Sequence, residues 1–170
     1  TILSAAALHE LGHYLALRSF GTRVTGLRIN ILGAQMRTES RRLSYGQELL
    51  AVLAGPAANL LWALLLAPFS GTDWVVGVHL SLCFFNLLPT RPLDGGRAFY
   101  RLVSWASNPS VGDFAARCVG GCTALSLSMA VAGVIWRSGG SLWLAPAAVG
   151  LLCAGIRELA PGKSGRAWIL

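Results

Sequence analysis

Hydrophobic positions in this chain run in long unbroken blocks, separated by short polar stretches or by glycine and proline. The first block, Ile2–Ser19, predicts a helix that ends at Arg18. From Gly21 to Gln47 the pattern changes, and Val24, Leu27, Ile29 and Ile31 are interleaved with Thr, Arg and Asn. That mixture predicts a short β-hairpin or irregular sheet over Val24–Met36. Glu48–Phe69 returns to the helical pattern, with a kink expected near Pro56. Trp74–Leu88 is the next apolar span and is broken by Pro89 and Pro92. Leu93–Trp105 resumes as a helix opening on Asp94, Gly95 and Gly96, and Ala106–Asp113 reads as a loop. Ala116–Trp136 and Ser141–Ile156 are two further spans, followed by a short basic tail.

Composition moves these blocks from a soluble core into lipid. The 170 residues are 54% hydrophobic and only 12% charged, whereas soluble domains carry about a quarter charged residues. The expected fold class is an all-α polytopic membrane protein, a helical bundle of about five to six spans. A proline-broken helix and a small interfacial β-hairpin complete it, within a single membrane-embedded domain over 1–170. The first residue is Thr1 rather than Met, and further sequence is expected upstream of it.

The net charge of +7 does not indicate nucleic acid, because the basic residues form no continuous patch with interleaved aromatics. They follow membrane topology instead. If the first helix ends on the cytoplasmic side, every Lys and Arg except Arg137 falls on that side. The expected location is therefore a multi-pass membrane protein, with His13 and Asp94 toward the cytoplasmic half of the bilayer. The four cysteines, Cys83, Cys118, Cys122 and Cys153, lie in apolar blocks without a CxxC pair and read as small packing residues.

Within the first block stands His9-Glu10-Leu11-Gly12-His13. Histidines four apart share one helix face, so both rings can reach one metal ion, and Glu10 is placed to take a proton from water there. Ionisable groups at membrane depth are costly and mark function. The rival reading is a proton or ion path, which does not need this spacing. A catalytic zinc site needs a third ligand. Asp94 is the first candidate, at a proline-broken helix start where irregular backbone is tolerated only against protein or a wet cavity. Its alternative role is a helix N-cap. His79 is the rival third ligand, alone in an apolar span. Asp73 and Asp113 read as solvated turn residues, and Glu39 and Glu48 as partners for nearby arginines.

Three blocks, in order, resemble the site-2 protease family of intramembrane zinc metalloproteases (M50-type). They are His9-Glu10-Leu11-Gly12-His13, Ala54-Gly55-Pro56-Ala57-Ala58-Asn59, and Asn86-Leu87-Leu88-Pro89-Thr90-Arg91-Pro92-Leu93-Asp94-Gly95-Gly96-Arg97. The resemblance covers the first hundred or so residues and is greatest to compact bacterial sporulation-type members. It implies one Zn2+ per chain on His9, His13 and Asp94, with Glu10 as general base. It implies that Asn59 and Asn86 line the site and steady substrate or oxyanion, their alternative being interhelical hydrogen bonds. It also implies that the hairpin, with Ile29 and Ile31, offers a strand edge to an unwound substrate.

The partners expected on that basis are a membrane-associated protein substrate and a membrane-protein regulator. A homo-oligomer is compatible with it, and nucleic acid is not expected. The activity would be regulated intramembrane proteolysis, such as activation of a transcription or sigma factor. No PDZ or CBS domain is expected. The competing class is a transporter or a degenerate binding relative of the same fold. Transporters commonly carry internal repeats, and a degenerate relative would lack Glu10 or a ligand.

Overall fold

The computed structural model describes residues 1–30, 33–38, 43–91, 93–138 and 144–160. Six helices and two strands follow in the order α1 (Ile2–Ser19), β1 (Val24–Asn30), β2 (Gly33–Thr38), α2 (Tyr45–Leu66), α3 (Asp73–Asn86), α4 (Asp94–Ala106), α5 (Pro109–Arg137) and α6 (Ala145–Leu159). The fold is mostly helical. α1 packs on α2, α2 on α3 and α4, α4 on α5, and α5 on α6. β1 and β2 pair antiparallel, with Ile29 opposite Ala34 and an irregularity between Val24 and Gly26. Ile31, Glu39 and Pro92 lie outside the described residues.

Two helix starts fall earlier than the hydrophobic pattern places them, and in both a polar cap is the cause. α2 begins at Tyr45 because Ser44 and Gln47 form a reciprocal capping box. α5 begins at Pro109, not Ala116, because Asn108 accepts from Val111 N–H at 3.0 Å and Pro109 needs no helical donor at the first position. The expected loop over Ala106–Asp113 is therefore mostly helix. α2 runs on through Pro56 without ending.

Small residues make the inside and large ones the outside. Ala5, Ala51, Val52, Ala63, Ala98, Ala116 and Ala124 are buried, while Trp136 is 87% exposed, Leu3 86% and Met129 76%. Small residues let helix backbones approach closely where lipid removes any hydrophobic drive between helices. Among the described residues, α2 and α5 are long and apolar enough to cross a membrane. α3, α4 and α6, at 14, 13 and 15 residues, are shorter than the ~20 a full crossing needs. Of the six helices, two thus meet the length and composition of a full crossing among the described residues.

Candidate metal centre

Residues from α1 and α4, far apart in sequence, meet at one point. His9 Nε2 lies 2.9 Å from Asp94 Oδ2, His13 Nε2 lies 3.2 Å from the same oxygen, and the two Nε2 atoms are 3.2 Å apart. Ligands held about 2.0–2.1 Å from a tetrahedral zinc stand roughly 3.3 Å from one another. The three donors therefore already make a triangle of zinc-site dimensions, and they are the donor types zinc takes. Among the described residues this is the set of His, Cys, Asp and Glu groups arranged to hold a metal. Asp94 is the first residue of α4, whose cap is Leu93, so its carboxylate is not an N-cap. It is free to turn toward the histidines, and it is buried with His9.

Backbone packing creates the room. A β-carbon on Gly95 would stand 2.0 Å from Leu87 O, and one on Gly96 2.1 Å from Thr90 O. The glycine pair lets the first turn of α4 tuck under the 87–91 turn, which carries Asp94 to the bundle interior.

Each histidine is oriented by a second bond. His13 donates Nδ1–H to Ala51 O at 2.8 Å, which leaves the Nε2 lone pair facing Asp94 and His9, the tautomer a metal ligand needs. His9 meets Asn59 instead, with Nδ1 3.2 Å from Asn59 Nδ2, and Asn59 Oδ1 is 3.0 Å from His79 Nδ1. Asn59 is fully buried and both ends of its amide face histidines. It stands behind a ligand rather than facing outward toward a peptide. His79 is also buried but lies outside the metal-holding set, so it is not the third ligand.

The other expected residues are placed less directly. Glu10 follows His9 on α1 and is half-buried. Asn86 donates one of its two Nδ2–H groups to Leu82 O of its own helix at 2.9 Å. Ile29 lies in β1. Glu48 pairs with Arg101 at 2.8 Å, joining the start of α2 to α4. Asp113 is buried rather than solvated and stands 3.6 Å from Arg91, whose Nε also reaches Glu158 Oε2 at 3.0 Å. Arg91 thus ties the turn before Asp94 to α5 and α6.

The model of Peptidase family M50 matches residues 1–75. Over that stretch the chain is similar to peptidase family M50. M50-type relatives include sll0528 of Synechocystis, named as a candidate zinc metalloprotease, which is 28% identical over 113 residues, 60% of this chain and 30% of that protein. Stage IV sporulation protein FB of Bacillus subtilis is 28% identical over 113 residues, 61% of this chain and 39% of its own length. The chain thus spans well under half the length of these M50 relatives. The fold is that of the site-2 protease from Methanocaldococcus jannaschii, with a TM-score of 0.64 and 19% identity over 97% of this chain and 78% of that one.

Proposed function

We propose that the chain is a zinc metalloprotease of the site-2 type, hydrolysing a peptide bond in or beside a membrane-associated segment of a substrate protein. The observation that carries the reading is the triangle of His9, His13 and Asp94 donors, with Glu10 adjacent in sequence. These three side chains would hold the ion, which when bound supplies a Lewis acid and lowers the pKa of water toward about 7. Glu10 accepts the proton of the attacking water and returns it to the leaving amine. Asp94 offers a negative charge to a dication otherwise held by two neutral imidazoles.

The surrounding protein excludes bulk water, and the large exposed apolar side chains suit lipid contact. A substrate helix hides its carbonyls in its own hydrogen bonds, so it must unwind before attack. β1 and β2 form a two-stranded sheet among the described residues, each strand forming one edge of it. An extended substrate would pair with such an edge by β-augmentation. We place the protein in a bacterial cytoplasmic membrane as a multi-pass bundle, its metal toward the cytoplasmic side, from the bias of its basic residues.

The test is cleavage of transmembrane-helix peptides, co-reconstituted with the protein in liposomes. We expect cleavage by wild type that a chelator stops and added zinc restores, and none by Glu10→Gln. A folded wild type that binds no zinc, or chelator-insensitive cleavage, would overturn the reading.

A further inference from the structure

The hydrogen-bond chain behind His9 can run in two directions, and one of them leaves His9 Nε2 open to a metal ion. A neutral imidazole that gives Nε2 to a metal carries its proton on Nδ1 and needs an acceptor there. The atom at that place belongs to Asn59, whose amide has an oxygen at one end and a nitrogen at the other with the same shape. With the oxygen toward His9, the amide nitrogen faces His79 and must donate to Nδ1 of that ring. His79 can take this bond only in the tautomer with a free Nδ1 lone pair. In the opposite sense, His79 Nδ1–H donates to the oxygen and the amide N–H points at His9 Nδ1, which forces the His9 proton onto Nε2 where the ion must sit.

We infer that His79 is a positioning residue for the metal, fixing through Asn59 which nitrogen of His9 is free to bind zinc. The inference rests on the zinc reading of His9, His13 and Asp94. Three observations carry it. The contacts are continuous, at 3.2 Å and 3.0 Å. All three side chains are buried, with Asn59 at 0% and both histidines at 6% exposure, so water does not compete for the bonds. The three members come from α1, α2 and α3, so the chain of bonds is set by helix packing. His79 has no place among the metal ligands and would otherwise be a polar group buried in an apolar helix at a cost.

Two near-isosteric substitutions separate this role from packing. An asparagine at 79 places its amide oxygen where histidine carries Nδ1, and a glutamine places its own one bond further, near Nε2. Zinc affinity is measured by competition against a fluorescent chelator in detergent, and thermal midpoints are measured in excess chelator. His79→Gln should bind zinc about tenfold or more weakly, within the range of outer-shell partners. His79→Asn should stay within roughly threefold of wild type on the same scale, and the chelator midpoints of the two variants should agree.

Equal zinc affinity of His79→Gln and wild type overturns the positioning role and leaves the zinc site standing. Equal losses in both variants, or a loss matched by a fall in the chelator midpoint, assign His79 to packing and also overturn it. A folded wild type that binds no zinc overturns both readings together.

Discussion

His13 and Gly55 touch across the α1–α2 interface so closely that a β-carbon on Gly55 would stand 2.3 Å from His13 Nε2. The ring lies over bare backbone, and its other nitrogen is held by Ala51 one turn earlier. Gly55→Ala should therefore push the imidazole off the metal position, with zinc content falling to near zero in metal analysis. Gly77→Ala is the control, since a β-carbon there meets nothing within 4 Å. It should keep full zinc and stabilise the helix by about 0.5–1 kcal/mol. Full zinc in Gly55→Ala would show that the ring has another way to reach the site.

Glu10→Gln removes the proton acceptor and leaves the donor triangle of His9, His13 and Asp94 intact. Zinc content should stay at wild-type level while the cleavage rate drops roughly 10²–10⁴-fold, the usual contribution of a general base. Loss of zinc in this variant would move Glu10 from the chemistry to the metal.

Asp94→Asn keeps the shape of the side chain but removes the charge. Its carboxylate oxygen touches both Nε2 atoms, so its loss should weaken zinc binding by more than the roughly 10–100-fold of an outer-shell partner. Chelator competition reads this directly. A smaller effect than that of His79→Gln would demote Asp94 as a ligand.

The ion pairs of Arg91 predict an effect from a residue outside every motif. Glu158→Ala removes the 3.0 Å contact of Arg91 Nε and keeps the longer 3.6 Å contact to Asp113. Removing one partner of an ion pair held away from solvent is destabilising, by up to about 3–5 kcal/mol, and the thermal midpoint should fall accordingly. Zinc affinity should fall as well, because Arg91 sits in the turn that delivers Asp94. A stability loss without any change in zinc binding would confine the ion pairs to helix packing.

Ile29→Pro tests the strand edge. Proline removes a backbone N–H from β1 and is tolerated poorly inside a ladder. Cleavage should slow severalfold with zinc content unchanged, and an unchanged rate would remove β1 from substrate binding.

The sequence is most legible where one short stretch carries the whole signal. The bounds of α1 and the spacing of His9 and His13 follow from a single apolar block, and Asp94 stands out beside its prolines and glycines. Helix starts are less legible from hydrophobicity because Ser44, Gln47, Asn108 and Pro109 act through backbone bonds. Those residues could have been read as cap signals. Asp113 looks like a turn residue until α5 is seen to begin at Pro109. The bonding of Asn59 to both His9 and His79 is illegible in principle, since it depends on how three helices meet. Spacing alone cannot distinguish an asparagine facing substrate from one facing a histidine.

The Arg91 contacts also bear on where the working unit ends. A homologue cut after the Asp94 motif would retain each residue by which the family is recognised. It would lack the carboxylates of Asp113 and Glu158 that moor the turn ahead of the third ligand. Such a gene product would pass as intact in a motif search and yet lack the contacts that tie the turn before Asp94 to the distal helices.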